Sequence, residues 1–177
     1  MANYRAITLI LMIFAAAASR VLPHPLNFTP IGAMALFGGA YFTDKRMAFL
    51  VPLSAMLLGD LVLGFHSTLP FVYAGFAIMV AVGMTLHNRC DMLPVMGATL
   101  LGSVVFFILT NFGVWALENM YPKNLGGLVT CYVAAIPFFH NSIAGDLVYT
   151  TALFGGFAWL ANRIPELRLT MATNNNN

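Results

Sequence analysis

The sequence predicts an all-α integral membrane protein, a bundle of six transmembrane helices with both termini cytoplasmic and a short, partly inserted segment between the fifth and sixth helices. Three observations predict it. Of 177 residues, 60% are hydrophobic and 8% charged, with a mean hydropathy of +0.83, whereas a soluble domain carries roughly 25% charged residues to face water. The apolar residues come in long runs rather than short alternating segments, and of the two folds that satisfy their backbone in hydrocarbon this selects helices over a closed barrel. Once the spans are drawn, Lys and Arg gather on one side.

The first helix is expected over Tyr4–Leu22, stopped by Pro23-His24-Pro25. The second starts at Thr29-Pro30, a cap followed by proline at the first helical position, and ends before Thr43-Asp44-Lys45-Arg46. The third runs from about Met47 to Gly64, and Ser67-Thr68-Leu69-Pro70 opens the fourth, which ends near His87. Asp91 with Pro94 starts the fifth, reaching about Glu118, and Met120–Asn124 is a loop. Leu125–Phe139 is apolar but short and interrupted by Pro137, which reads as a partly inserted loop segment. The sixth helix runs from Asn141 or Ser142 to about Asn162. Residues 1–170 then form a single transmembrane domain, and 171–177, with four asparagines, a disordered tail. Arg5, the apolar Ile7–Phe14 and Ala16-x-Ala18 also have the form of a signal peptide. The apolar stretch continues to Val21-Leu22, however, close to the roughly 20 residues a span needs.

With the N-terminus in the cytoplasm, Arg5, Lys45, Arg46, Arg89, Arg163 and Arg168 lie inside, and Arg20 and Lys123 outside. A full span over Leu125–Phe139 would strand Arg163 and Arg168 outside, which argues against seven helices. This topology puts Asp60, Tyr73, Asn111, Trp115, Tyr132, His140, Asn141 and Asp146 toward the outer side, with His24, Asn27 and His66 in outer loops. A charged side chain at bilayer depth costs at least about 2.5–3.5 kcal/mol. Two aspartates on one side therefore point to a polar cavity opening outward.

Plainer roles stand beside the binding roles. Asp146, expected in the first turn of its helix, can simply complement that helix dipole. Asp60, at a helix C-terminal end where the dipole disfavours an anion, calls for a hydroxyl, a histidine or a ligand. His24 and His66 suit solvated loops, and Trp115 and Tyr121 suit an interfacial aromatic belt. Cys131 beside Tyr132 is a buried thiol or a soft-metal ligand. Cys90 and Cys131 fall on opposite sides, so no disulfide joins them, and they match no metal spacing. Ala15/Ser19 and Ala35/Gly39, four apart, allow close helix approach, the first pair toward a partner subunit and the second inside the bundle. No hydrolase, metalloprotease or nucleotide-binding motif is present, so no cofactor and no catalytic residue are expected. The net charge of +2 is too small and scattered to suggest nucleic acid.

Four stretches carry a family resemblance: Leu22–Ala33, Leu58–Gly64 with its Gly59-Asp60-Leu61, Thr110–Trp115 and Cys131–Phe139. On these the chain resembles the substrate-binding S-components of ECF-type vitamin transporters, and more closely a group of small membrane proteins regarded as S-component-like. The resemblance implies six helices with both termini inside and a high-affinity pocket near the outer face. It implies docking of the first helix, through small residues such as Ala15 and Ser19, on a coupling subunit with ATPases, although some relatives work alone. The family motif is usually two alanines. Cobalamin is a ligand of solitary members, which use a cysteine as cobalt ligand between the third and fourth helices. His66 stands there in this chain, with no cysteine.

The expected function is therefore capture of a vitamin-type micronutrient from the outer side of the cytoplasmic membrane. Asp60, Tyr73, Asn111, Trp115, Tyr132, His140, Asn141, Asp146, His24, Asn27 and His66 are its candidate binding residues. The alternative is a structural or accessory subunit without a ligand, in which polar residues only tie helices together. A third reading, an intramembrane enzyme, would set His140 against Asp146.

Overall fold

The structure is a computed structural model that describes residues 4–87 and 90–168; Arg89 and the expected disordered tail lie outside the described residues. The described chain is all-helical. Helix α1, Tyr4–Ala18, continues through a tight turn, Ser19–Val21, and is followed by α2 (Ile31–Tyr41), α3 (Lys45–Leu63), α4 (Leu69–Thr85) and α5 (Met92–Leu117). Helix α6, Leu125–Thr150, passes through a π-helical turn, Thr151–Gly155, into α7, Gly156–Arg163. Four stretches are long and apolar enough to cross a membrane: Tyr4–Val21, Lys45–Leu63, Met92–Leu117 and Leu125–Arg163. Ile31–Tyr41 and Leu69–Thr85 are apolar but shorter. These helices are consistent with a membrane protein.

Two side chains cap helix starts, though not the one expected: Pro30 rather than Thr29 is the N-cap of α2, and neither it, Thr68 nor Asp91 makes a side-chain cap bond. The Asp44 carboxylate accepts the Arg46 N–H at 2.8 Å, and the Asn124 side chain accepts the Gly127 N–H at 2.9 Å. Each satisfies a donor that the first helical turn leaves unpaired, which is worth about 1 kcal/mol. At the other end of the chain, Arg168 donates to the carbonyls of Ala161 and Asn162, placing a cation at the negative end of α7.

The architecture is organised by α2. At 1.5 Å per residue its 11 residues reach about 16 Å, roughly half the 30 Å hydrocarbon thickness. Gly32 through Ala40 are all buried, so the helix is surrounded rather than lipid-facing. It crosses α4 closely: a Cβ on Gly39 would meet the carbonyl oxygen of Val80, and one on Gly83 would meet that of Leu36. Below this crossing, Phe37 packs edge-on against Phe154 and Phe157, at 5.3 and 6.0 Å between ring centres. Leu9 and Ile13 of α1 and Met56 of α3 complete the core.

The described ends of the chain lie together. Arg5 donates to the Leu167 carbonyl at 2.7 Å and to the Tyr41 carbonyl at 3.2 Å; this is the Arg5 end of the bundle. Cys90 also packs here, where burial pushes its thiol pKa up and leaves it protonated. The opposite end, called the His66 end, carries the connections Leu22–Pro30, Gly64–Thr68 and Glu118–Asn124.

The expected partly inserted loop over Leu125–Phe139 is corrected by the structure: this segment is helical and continuous with the sixth helix through Pro137. A proline removes one intrahelical hydrogen bond, a loss that membrane helices tolerate where neighbours re-satisfy the backbone. Helix α6 runs alongside α5: Cys131 Sγ meets the Asn111 carbonyl at 3.4 Å, and the Thr99 hydroxyl meets that of Thr150 at 3.3 Å.

Candidate functional site

The short α2 begins well inside the bundle, so the chain from Leu22 to Pro30 descends as irregular backbone to reach it. Irregular backbone at membrane depth is tolerated where it is buried in protein or lines a cavity. Here both occur. Gly145 of α6 abuts Phe28 and Thr29, where a Cβ would lie 3.0 Å from the Thr29 nitrogen, and Asn141 donates to the Leu26 carbonyl at 3.0 Å. On its other side the segment borders a cavity of about 300 Å³. Asn27, Thr29 and Gly32 line one wall, Thr110, Asn111 and Ser103 of α5 another, and Asp146, Arg20 and His66 complete it.

Two carboxylates organise the polar groups. Asp60, in the last turn of α3, pairs with Arg20 at 2.8 Å, with both side chains buried. Its second oxygen accepts the Tyr73 hydroxyl of α4 at 2.8 Å. Arg20 also reaches the carbonyl and sulfur of Met56, at 3.4 and 3.3 Å. One carboxylate thus joins α1, α3 and α4, and the arginine above it forms part of the cavity wall. Arg20 Nε is buried and has no hydrogen-bond partner among the described residues. A buried donor left unsatisfied costs about 1–3 kcal/mol.

Asp146 is the second carboxylate. The expectation that it sits in the first turn of its helix is corrected, because α6 begins at Leu125; it cannot serve its own helix dipole. It faces the start of α2 instead, lying against Gly32 and accepting the Ser103 hydroxyl at 2.6 Å. Gly32 is required at this contact, since a Cβ there would lie 2.5 Å from Asp146 Oδ1. Ser103 Oγ also lies 2.9 Å from the Thr99 backbone carbonyl, and the Thr99 hydroxyl lies 3.3 Å from that of Thr150, so both hydroxyls sit between α5 and α6.

Of the candidate residues, Asn27, His66, Asn111 and Asp146 line the cavity. Asp60 and Tyr73 lie behind Arg20 and act through it. Trp115 donates to the Pro122 carbonyl at 3.0 Å and carries Lys123 over its ring. Tyr132 donates to the Ile108 carbonyl at 2.7 Å. His24 is exposed and bonds its own Leu22 carbonyl, and Asn141 anchors Leu26. His140 is exposed, and no hydrogen bond among the described residues joins it to Asp146. Ala15 is exposed on α1, but Ser19 turns inward, its hydroxyl 2.9 Å from that of Tyr149.

Arg20 is the residue that sequence reasoning assigned elsewhere. A cation at a span end ordinarily extends to water, and nothing local marks it as the partner of an aspartate 40 positions away. Ser103 and Thr29 were also missed, since hydroxyls in apolar helices usually bond back to their own backbone.

Fold and site together define a bundle of apolar helices enclosing a polar cavity at the end opposite its described termini. The chain belongs to a family of unknown function, DUF6580, whose model matches residues 1–167. No curated protein and no solved structure matches it.

Proposed function

We infer that the protein is a multi-pass membrane protein of S-component-like type that captures a vitamin-type micronutrient from the outer side. The observation that carries this reading is the cavity of about 300 Å³ bordered by Arg20, Asn27, Ser103, Asn111 and Asp146. Its size lies at the lower end of small-molecule sites, about 300–1,000 Å³, which favours a compact ligand; a corrinoid is much larger.

In this reading the six helices cross the cytoplasmic membrane with both termini inside. Charge supports that orientation: Arg5, Lys45, Arg46, Arg163 and Arg168 belong to the Arg5 end, Arg20 and Lys123 to the His66 end, and basic residues favour the cytoplasm. The cavity then faces outward. Release inward follows rearrangement of the bundle, alone or driven by a coupling subunit with ATPases. The exposed stripe of Ile7, Leu11 and Ala15 on α1 supports a docking role for that helix.

A panel of vitamins and metal ions, screened by thermal unfolding in mild detergent, tests the binding claim. A ligand at 100 times its Kd stabilises by about 2.7 kcal/mol, which for a chain of this size raises Tm by roughly 5–10 °C. At least one compound should do so, and Asn111→Ala should remove the rise. A panel without effect favours the accessory-subunit reading, which draws support from the intramolecular partners of both aspartates.

A further inference from the structure

We propose that the cavity takes a small organic cation, held at Asp146. This rests on the ligand-binding reading above and names its substrate class. Arg20 is positive, but Asp60 lies against it at 2.8 Å, so the pair contributes little net charge to the space it borders. Asp146 has no such counter-ion: the sole ion pair among the described residues is Arg20–Asp60. Its own partners are neutral, the Ser103 hydroxyl at 2.6 Å and the start of α2 at Gly32. Neutral partners of this kind leave a carboxylate's charge uncancelled. His66, the other titratable group on the cavity wall, bonds the Thr68 hydroxyl at 2.8 Å.

The cavity is therefore bordered by one carboxylate that has no counter-ion, in a wall where polar side chains alternate with Met56, Val72, Phe106 and Val114, and a cleft lined by one sign of charge concentrates ions of the other. An ionisable residue at this depth marks a substrate or ion pathway by default. A metal ion is the poorer match, because no group of three or more His, Cys, Asp or Glu side chains gathers among the described residues. Divalent cations need several oxygen ligands. An organic cation needs only the one carboxylate.

The test uses the full chain in detergent with Cys90→Ala, Cys131→Ala and Thr110→Cys. Thr110 borders the cavity, and its hydroxyl bonds only back to the Phe106 carbonyl, so a thiol there disturbs little. Labelling rates are measured with trimethylammonium-ethyl and sulfonato-ethyl methanethiosulfonates, each normalised to a free thiol in solution. The cationic reagent should react faster by about tenfold or more, the low end of what a charged cleft gives. Asp146→Asn should bring the ratio near one without slowing the neutral methyl reagent. A ratio at or below one in the Asp146-containing protein means that Arg20 dominates, and overturns the cation claim while leaving ligand binding standing. So does a ratio that survives Asp146→Asn. That first ratio decides the matter by itself should the Asn variant not fold. If none of the three reagents labels Thr110→Cys, the cavity is closed, and both the cation claim and the binding reading fall.

Discussion

Replacing Asp60 by alanine is expected to destabilise the bundle by about 3–5 kcal/mol, the cost of stranding a buried charge. Arg20 would keep its charge within the protein with only Met56 beside it, and the Tyr73 hydroxyl would lose its acceptor. The triple replacement Arg20→Met, Asp60→Leu and Tyr73→Phe should recover most of the loss, because apolar residues of similar volume often match a buried pair in stability. Thermal unfolding in mild detergent, followed by tryptophan fluorescence, reads both variants. A loss below about 1 kcal/mol in the single variant would place the pair among solvated surface ion pairs and contradict its burial. The comparison also separates two roles of Arg20. The triple variant keeps the fold and removes the cavity's guanidinium, so a loss of ligand response there belongs to the site.

The second large effect is expected at the crossing of α2 and α4. A methyl group on Gly39 or on Gly83 would meet backbone carbonyls of the opposing helix, which cannot rotate away as a side chain can. Gly39→Ala and Gly83→Ala should each cost about 1–3 kcal/mol or more by overpacking. The effect should reach the cavity as well, since the same short helix presents Gly32 to Asp146 at its other end. Gly97→Ala provides the contrast. Nothing lies within 4 Å of the added Cβ there, and alanine gains up to about 1 kcal/mol over glycine in a helix interior. Unfolding temperatures that fall for the first two and hold or rise for the third match the crossing; equal effects at all three would show that α2 and α4 are not in backbone contact.

Much of this bundle was legible in the sequence because apolar runs and their punctuation are local signals. Thr29-Pro30 marked the start of α2 to within a residue, although Pro30 takes the N-cap position without a side-chain bond, whereas Asp44 and Asn124, read as loop residues, are the side chains that cap α3 and α6. The error at Leu125–Phe139 came from treating Pro137 as a stop. Whether proline ends a helix depends on neighbours that can compensate its missing bond, and those neighbours are set by tertiary packing. The same error displaced Asp146 to a helix terminus, when its real partner is the terminus of another helix. At the candidate site, depth alone singled out Asp60, Asn111 and Asp146. Their grouping was not legible, because it depends on pairings such as Arg20 with Asp60 and Ser103 with Asp146 that join residues distant in sequence. Nor did the sequence reveal that Asp60 serves the cavity only through Arg20.

Native mass spectrometry of protein taken directly from cells in mild detergent tests most directly whether the cavity is a binding site, when wild type is compared with Thr110→Trp. The indole of that variant fills space bordered by Asn111 and Asp146 and leaves the Arg20–Asp60 pair unsubstituted. Wild type should carry a bound small molecule whose mass identifies its class, and Thr110→Trp should arrive empty with an unchanged unfolding temperature. Wild type that arrives empty, or an adduct that persists in Thr110→Trp, would contradict the account.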